Sequence, residues 1–188
     1  PVSPSKYLID KPLSSFAESY RTIRSSILLS NVDETPKVVT VTSALPGEGK
    51  TASTHTLGRL SAMSGDKTLI IDCDLRRRSL SKSLKNEIDL GLLEFLAGTQ
   101  KIEDVILQDA VSNCEILPLA HNKFTPRDIF GSQTFQILLK DLRKQYDLII
   151  LDTAPVLPVA ETRTLANLSD AVVLFVKWRK TKKDAAAT

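Results

Sequence analysis

Short apolar runs alternate with longer amphipathic stretches along most of the chain. Runs that are apolar on both faces, separated by segments of helix length, predict a parallel β-sheet that helices cover. The predicted strands are residues 38–41, 68–71, 115–118, 148–151 and 171–176. We expect the run at 115–118 to be the weakest, and to lie at a sheet edge or to end there, because Pro118 cannot donate a ladder hydrogen bond.

The amphipathic stretches predict the helices that cover this sheet. The connecting helices are predicted at residues 52–63, 90–96, 126–145 and 160–168. A longer helix, at 13–29, precedes the first strand; Ser14 or Ser15 could cap it, and Phe16 and Tyr20 fall at helical spacing. Because this helix lies ahead of the α/β core, it needs a surface to cover, either its own sheet or a neighbouring subunit.

Composition and charge narrow the class of protein. The 188 residues are 42% hydrophobic and 25% charged, which fits one soluble domain with a real core. The net charge of +3 gives no argument for a nucleic-acid partner, and we interpret the basic clusters as solvated surface. Two cysteines are too few for a disulfide framework, which favours a cytoplasmic setting. Every apolar run is shorter than the roughly 18 residues of a membrane span, although the chain could be part of a longer membrane protein.

The segment ALPGEGKT follows the first predicted strand and precedes a helix, which is the context of a phosphate-binding loop. Gly47 and Gly49 allow the backbone to wrap closely and to aim its N–H groups inward. Lys50 would reach the β- and γ-phosphates, and Thr51 would ligate Mg²⁺. The pattern has Gly where Ala44 stands, and a small residue suffices there if the turn is not left-handed. The predicted nucleotide-binding residues are Pro46, Gly47, Glu48, Gly49, Lys50, Thr51 and Ala52.

Two other predicted strands end in carboxylates. Asp152 follows the run at 148–151 and would hold Mg²⁺ directly or through water. Asp72 and Asp74 follow the run at 68–71; because residues two apart on a strand share a face, both can point into a site beyond the strand ends. An ATPase that only switches needs one such carboxylate. The pair therefore indicates a second task, the deprotonation of an incoming hydroxyl, or else two charges in an ordinary strand-end turn.

Together these motifs resemble the bacterial protein-tyrosine kinases (BY-kinases) of capsule and exopolysaccharide synthesis, which are relatives of the MinD/ParA-type P-loop ATPases. ALPGEGKT resembles their Walker A motif, LIIDCDLRR their Walker A′ motif and LIILDTAP their Walker B motif. GLLEFLAG and EILPLAHNKFTPRDIF are similar to segments that these kinases carry between the last two motifs. Glu18, Arg21 and Arg24 match the E-x-x-R-x-x-R helix, which in the family mediates ring assembly.

The resemblance implies a three-layer α/β P-loop NTPase fold, with a mostly parallel central sheet and helices on both faces. Residues 1–34 would form an N-terminal segment with the assembly helix, and residues 35–188 the nucleotide-binding core of the same domain. The implied activity is transfer of the ATP γ-phosphoryl group to tyrosine hydroxyls, including autophosphorylation, which would regulate polysaccharide polymerisation and export. The implied catalytic residues are Lys50, Asp72, Asp74 and Asp152, and the implied metal ligands are Thr51, Asp72, Asp74 and Asp152.

The resemblance also implies cofactors, partners and a location. ATP and Mg²⁺ are the expected cofactors. The expected partners are further copies of the chain in a ring, protein tyrosines, and a membrane-embedded polysaccharide co-polymerase, fused or separate, that acts as activator; no nucleic acid is expected. Such a kinase works in the cytoplasm at the inner face of the plasma membrane. Asp72 would accept the phenol proton and Asp74 would support the metal or the orientation, although the reverse assignment stays open.

Two features depart from the related families. MinD/ParA-type switches carry a signature Lys where Leu45 stands, which counts against a membrane- or DNA-positioning ATPase. The kinases usually end in a tyrosine-rich tail, whereas this chain has only Tyr7, Tyr20 and Tyr146, so either it is a shortened form or the usual substrate is missing. We expect Tyr20 and Tyr146 to be buried and Tyr7 to be accessible. The rival interpretation is a non-kinase ATPase switch; a degenerate nucleotide-binding scaffold is disfavoured because Lys50, Thr51 and Asp152 are all present.

Overall fold

A central sheet organises the protein in a computed structural model that describes residues 3–31, 33–84, 88–120 and 128–187. Its strands are β1 (Val38–Ser43), β2 (Thr68–Asp72), β3 (Leu107–Gln108), β4 (Glu115–Leu117), β5 (Leu148–Asp152) and β6 (Ala171–Phe175). Their order across the sheet is β3-β4-β2-β5-β1-β6. Every neighbouring pair is parallel except β3 with β4, which confirms the prediction of a mostly parallel sheet.

Helices cover both faces of the sheet. They are α1 (Pro4–Asp10), α2 (Ser15–Leu28), α3 (Lys50–Met63), α4 (Ser79–Ser83), α5 (Leu92–Leu96), α6 (Ile102–Val105), α7 (Gln133–Gln145), α8 (Glu161–Asn167) and α9 (Lys183–Ala187). One buried cluster joins residues of α2 and α3, such as Leu57, to Ile70 of β2. A second cluster joins residues of α7, such as Phe135, to Ile71 of the same strand. Successive strand residues point to opposite faces, so the two clusters confirm three layers.

The strands differ in how far they are covered. All residues of β1, β2 and β5 are buried, as continuous apolar runs predict for strands covered on both faces. In β6, Val173 and Phe175 pack against the core, but Val172 is 49% exposed and Leu174 is 40% exposed. The prediction of cover on both faces is therefore wrong for β6 within the described residues, because the face that carries Val172 and Leu174 is exposed.

Several boundaries differ from the sequence predictions. The strand β4 lies between β2 and β3 rather than at an edge, and Pro118 directly follows it, so the predicted strand end is correct. The edge strand β3 was not predicted, because two exposed residues carry no period. The predicted helix at 126–145 begins only at α7, where Ser132 caps it by accepting a hydrogen bond from the Phe135 N–H group. Asp128 has φ +55°, which is not helical; residues 126 and 127 lie outside the described part.

The predicted N-terminal helix is α2, and Ser14 is its cap, accepting a hydrogen bond from the Ala17 N–H group. It buries Tyr20, whose hydroxyl donates to Ser53 Oγ of α3 over 2.9 Å. The helix therefore packs against its own domain, which is one of the two kinds of surface expected for it; the other was a neighbouring subunit. The helix α1, which was not predicted, packs against α3 as well.

A buried ionic cluster fastens α3 to the segment between β3 and β4. Asp109 accepts hydrogen bonds from Nε and Nη2 of Arg59, at 3.0 and 2.7 Å, and from the hydroxyl of Ser112 at 2.7 Å. Burial alone would raise the pKa of Asp109, but hydrogen bonds from His55, Arg59 and Ser112 outweigh it and hold the pKa well below the usual range. Arg59 also donates to Ser5 Oγ of α1, so one arginine links three segments.

We expect Asp109→Asn to lower the free energy of unfolding by about 1.5–3 kcal/mol at pH 7, because the charged hydrogen bonds of Arg59 lose their carboxylate. The pKa of the Asp109 carboxyl is lower in the folded state than in the unfolded state, where it is about 3.9. The carboxylate therefore stabilises the fold fully above the unfolded-state pKa, and this contribution is lost as the pH falls towards the folded-state pKa. The difference between the two proteins should therefore be constant above about pH 5 and shrink below about pH 4. Urea unfolding at pH 7, 5 and 3.5 measures this; an equal difference at all three would contradict the assignment.

Candidate active site

The phosphate-loop segment has the backbone of a phosphate cradle. Gly47 has φ +81° and Gly49 has φ +93°, values that L side chains rarely adopt. Ala44 is buried and is not among the described residues with positive φ, so alanine is tolerated at the first turn, as the sequence predicted. The helix α3 begins at Lys50, and its positive end and free N–H groups face the loop.

Lys50 lies between two carboxylates that come from different strand ends. Its Nζ is 3.1 Å from Oδ2 of Asp74 and 3.5 Å from Oδ1 of Asp152, and it is also 3.2 Å from the hydroxyl of Thr51. Both carboxylates are fully buried, and Lys50 is 7% exposed. The structure thus brings together the predicted residues of the Walker A, A′ and B segments at the carboxyl ends of β1, β2 and β5. Phosphate oxygens that reach Lys50 would compete with these ion pairs.

Asp72 makes a different set of contacts. Its Oδ2 accepts hydrogen bonds from the N–H group and the hydroxyl of Ser81, at 2.9 and 2.6 Å, and its Oδ1 accepts from the Asp74 N–H group at 3.1 Å. Burial raises the pKa of Asp72, and the negative charge of Asp74 adds to this, although the bonds of Ser81 oppose it. Asp74 in turn accepts from the Arg77 N–H group. The two Walker A′ carboxylates therefore have separate surroundings, which spacing alone could not reveal.

Asp152 carries an acceptor atom without a partner. Its Oδ1 accepts from the hydroxyl of Thr54 at 3.2 Å, while its Oδ2 is buried and makes no hydrogen bond. Burial raises the pKa of Asp152 to about 7, and the ammonium of Lys50 opposes this rise. A buried, unpaired carboxylate oxygen beside the Thr51 hydroxyl fits a Mg²⁺ ion or one of its waters.

The protein itself offers only part of a metal coordination sphere. No group of three or more His, Cys, Asp or Glu side chains among the described residues is arranged to hold a metal ion. Mg²⁺ usually retains waters and is bound by one or two carboxylates together with substrate phosphates, so a complete protein cage is not required. Among the protein side chains, binding of Mg²⁺ would therefore depend on Asp152 and Thr51.

Glu48 connects the loop to the segment after β6. Its carboxylate accepts hydrogen bonds from the N–H groups of Leu45, at 2.7 Å, and Lys177, at 3.3 Å, and from the hydroxyl of Thr181. Burial is the largest single influence on the pKa of Glu48 and raises it, but the hydrogen bonds together outweigh burial and lower the pKa below its ordinary value. Glu48 thus shapes the loop rather than facing the carboxylates. The neighbouring residues Pro46 and Gly47 are exposed at the loop surface.

Three side chains that support the site were not singled out from the sequence. Thr54 holds Asp152, Ser81 holds Asp72, and Ser53 receives the hydroxyl of Tyr20. Thr54 lies one helical turn after Lys50, so the helical period could have indicated it. Ser81 belongs to a five-residue helix with no clear apolar period, and nothing in the sequence marked its contact with Asp72.

The proposed assembly helix is partly engaged within the chain. Glu18 and Arg21 form an exposed ion pair at 2.9 Å, and Arg21 also donates to the carbonyl oxygen of Pro12. Arg24 donates two hydrogen bonds to Oδ2 of Asp66, after the end of α3. Arg21 and Glu18 remain accessible, whereas Arg24 contributes to the fold.

The tyrosines lie as the sequence predicted. Tyr20 is 8% exposed, Tyr146 is 4% exposed, and Tyr7 is 42% exposed. The aromatic rings of Tyr7, Phe16 and Tyr20 form a chain of contacts between α1 and α2. Tyr7 is therefore the most accessible tyrosine side chain among the described residues. In addition, no described helix has the length and hydropathy needed to cross a bilayer.

The parallel sheet, the glycine loop ahead of α3, and the buried Lys50 between two strand-end carboxylates define a P-loop nucleotide-binding domain. Comparison with known proteins agrees with this class. A family model described as an AAA domain matches residues 36–183.

Named relatives narrow the class further. Tyrosine-protein kinase YwqD of Bacillus subtilis is 33% identical over 177 residues, which are 94% of this chain and 75% of YwqD. The succinoglycan biosynthesis transport protein ExoP of Rhizobium meliloti is 29% identical, over 94% of this chain but only 23% of ExoP. The solved VpsO kinase domain has a TM-score of 0.80 and 35% identity, covering 93% of this chain and 89% of that one. The chain belongs to the family of bacterial tyrosine-protein kinases.

Proposed function

We propose that this chain is a protein-tyrosine kinase that transfers the γ-phosphoryl group of Mg·ATP to tyrosine hydroxyls. The observation that carries the proposal is the convergence of Lys50, Asp74 and Asp152 in front of the phosphate loop, with the further carboxylate of Asp72 beside them. A P-loop switch needs only Lys50 and one Mg²⁺-binding carboxylate. A kinase also needs a group that accepts the proton of the attacking hydroxyl.

The transfer balances with the groups present. The tyrosine oxygen bonds to the γ-phosphorus while the bond from that phosphorus to the β,γ-bridging oxygen breaks, and ADP leaves with the electron pair. Loop N–H groups and Lys50 hold the phosphates, while Asp152 and Thr51 would hold Mg²⁺, which neutralises charge on the phosphates. The phenol proton passes to a strand-end carboxylate.

We assign proton acceptance to Asp72. Asp74 is committed to Lys50 by a 3.1 Å ion pair, whereas Asp72 makes no ion pair within the described part of the chain, and burial raises its pKa, which makes it a stronger proton acceptor. Tyrosine has a pKa of about 10, so only roughly 0.1% is ionised at pH 7. A positioned base typically contributes about 10²–10⁴-fold. Positioning and charge neutralisation must supply the rest.

Comparing Asp72→Asn with Asp74→Asn tests the assignment. We expect Asp72→Asn to lower kcat for phosphotyrosine formation by about 10²–10⁴-fold while the dissociation constant for Mg·ADP stays unchanged. Asp74→Asn should change nucleotide affinity as well, because it releases Lys50. Continued ATP hydrolysis without phosphotyrosine in the unaltered protein would instead favour a switch, and full kinase activity in Asp72→Asn would remove that residue from the chemistry.

We also propose that α2 contributes to a homo-oligomeric ring through Glu18 and Arg21. Both side chains are accessible, and as a pair on one solvated helix they would stabilise the fold by only about 0.2–0.5 kcal/mol. A ring would present tyrosines of one subunit to the site of the next. The partner expected from the family is a membrane-embedded polysaccharide co-polymerase that acts as activator. Binding to this partner would place the chain at the inner face of the plasma membrane.

Arg21→Glu tests the assembly role. It creates two like charges one helical turn apart, so we expect a lower assembled mass in light scattering and unchanged nucleotide binding. Lys140→Glu, on the exposed side of α7, is the matched control and should leave the mass unchanged. An assembled mass that is the same in both variants and in the unaltered chain would rule out the role of Arg21.

A further inference from the structure

The carboxylate of Glu48 bridges two parts of the chain that are distant in sequence. Its Oε2 atom accepts a hydrogen bond from the Leu45 N–H group of the phosphate loop, at 2.7 Å. Its Oε1 atom accepts from the Lys177 N–H group, at 3.3 Å, and from the hydroxyl of Thr181, and both of these residues lie after β6. Each oxygen therefore serves one segment, and the proposed phosphoryl transfer has no step that uses this bridge.

The segment that Glu48 contacts after β6 is a turn formed by residues 177–181, which we call the post-β6 turn. The N–H groups of Lys180 and Thr181 donate to the Lys177 carbonyl oxygen at 3.0 Å each, and the Thr181 hydroxyl accepts from the Lys177 N–H group at 3.0 Å. Residues 177–180 are exposed, so little apolar burial holds the turn in place. Segments with few buried contacts open locally at low free energy. The hydrogen bonds to Glu48 therefore have a large influence on where the turn lies.

The same carboxylate fixes the first turn of the phosphate loop. Glu48 holds the N–H group of Leu45, and the hydroxyl of Ser43 donates to the carbonyl oxygen of Leu45 at 2.8 Å. Gly47 and Gly49, on either side of Glu48, have positive φ, and glycine loses more conformational freedom on ordering than any other residue. A loop that is ordered before the nucleotide arrives loses less entropy on binding, and therefore binds more tightly.

The charge of Glu48 favours a positioning role over direct contact between its side chain and the nucleotide. Burial raises the pKa of Glu48, but the hydrogen bonds outweigh burial and lower it, so the side chain is an anion at neutral pH. An anion repels phosphate oxygens, whereas its charge-assisted hydrogen bonds to N–H and O–H donors are roughly twice as strong as neutral ones. The side chain therefore stabilises the loop through Leu45 and the turn through Thr181.

We propose that Glu48 is a positioning residue that couples nucleotide binding in the phosphate loop to the post-β6 turn. This proposal rests on the nucleotide site of the proposed kinase function and adds a contact through which the chain after β6 influences that site. Coupling between two sites is reciprocal. Bound nucleotide should therefore order the turn, and a loosened turn should weaken nucleotide binding.

The dissociation constant for Mg·ADP, measured by isothermal titration calorimetry, gives the first test. Glu48→Ala should raise it by about 10–100-fold, because this variant removes charge-assisted hydrogen bonds from both segments. Glu48→Gln should retain most of the affinity, because its amide can accept from the Leu45 N–H group and donate to the Thr181 hydroxyl oxygen. Glu103→Ala, at an exposed position of α6, is the matched control and should leave the affinity unchanged. An unchanged dissociation constant in Glu48→Ala, or an equal loss in Glu48→Gln, would overturn the proposal.

The second test changes the far end of the bridge. Thr181→Val should raise the dissociation constant for Mg·ADP by about 3–10-fold, and it should have no further effect in a chain that already carries Glu48→Ala. Thr99→Val is the matched control, because it removes a hydroxyl that donates only to the nearby Glu94 carbonyl oxygen, and it should leave the affinity unchanged. Additive effects of the two substitutions, or no effect of Thr181→Val, would contradict the coupling.

Amide hydrogen exchange measures the turn itself. Saturating Mg·ADP should slow exchange at residues 177–181 in the unaltered chain and should have little effect there in Glu48→Ala. In kinetic assays Glu48→Ala should raise KM for ATP and retain kcat, since a residue that positions the loop acts on binding rather than on the chemical step. Exchange that Mg·ADP does not slow in the unaltered chain, or slows equally in Glu48→Ala, would overturn the proposal.

The kinase function and the coupling can fail separately. A chain that shows the expected changes in Mg·ADP binding but forms no phosphotyrosine would overturn the kinase function alone. A chain that forms phosphotyrosine while Glu48→Ala binds Mg·ADP normally would overturn the coupling alone. If the unaltered chain does not bind Mg·ADP at all, both proposals fail.

Discussion

Asp152→Asn is expected to lower the rate of phosphotyrosine formation by about 10²–10³-fold, the usual effect of removing one preorganised electrostatic group from a transition state. The substitution replaces the unpaired Oδ2 atom, which we assign to Mg²⁺ or its water, with an amide nitrogen that cannot bind a cation. The remaining amide oxygen can still accept the hydrogen bond of Thr54. The expected loss is therefore specific to the chemistry, and it is measured as initial rate at saturating Mg·ATP and peptide.

The same substitution should not destabilise the fold. Asp72, Asp74 and Asp152 are all fully buried, and Lys50 is the ammonium that contacts two of them. Neutralising one carboxylate removes repulsion and a desolvated charge, so we expect the free energy of unfolding at pH 7 to fall by no more than about 1 kcal/mol, or to rise.

Asp147→Asn is the matched control, because Asp147 lies at the opposite, exposed end of β5. It should change neither the rate nor the stability appreciably, since an amide oxygen can still accept from the Lys67 N–H group. An Asp152→Asn protein that unfolds in parallel with its loss of activity would contradict the account, because the loss would then reflect folding.

Phe135→Ala is expected to lower the free energy of unfolding by about 3–5 kcal/mol, the range for deleting a buried aromatic side chain. Phe135 is fully buried at the first turn of α7, where its ring packs edge-on against Phe130 at 5.1 Å between centroids. Alanine would leave a cavity between α7 and the sheet. Urea unfolding followed by circular dichroism measures the change.

Ile137→Ala provides the comparison on the same helix. Ile137 is 51% exposed, so its removal should cost less than about 1 kcal/mol. Equal losses at the two positions would contradict the placement of α7.

The central strands and the phosphate loop were predictable because their signals are local. Continuous apolar runs gave β1, β2 and β5, and the glycines at 47 and 49 occupy the left-handed conformations that the loop pattern requires. The half-exposed face of β6 was not predictable, since its sequence resembles a central strand. Only the strand order places β6 at an edge, and that order is a property of the whole fold.

The side-chain contacts of the candidate site could likewise be predicted only in part from the sequence. The spacing of Asp72 and Asp74 placed both near the site, but the contact of Lys50 with Asp74 rather than Asp72 depends on how the segment after β2 turns. The bond from Ser81 to Asp72 joins residues in a five-residue helix and a strand end.

The ratio of phosphotyrosine formed to ATP consumed tests the central claim most directly. The unaltered chain would be supplied with Mg·ATP and a peptide that contains one tyrosine, with the same peptide carrying phenylalanine as the control. A tyrosine kinase predicts a ratio near one with the tyrosine peptide and no phosphorylation of the phenylalanine peptide. ATP consumption at the same rate with both peptides, without phosphotyrosine, would contradict the account and indicate an ATPase switch.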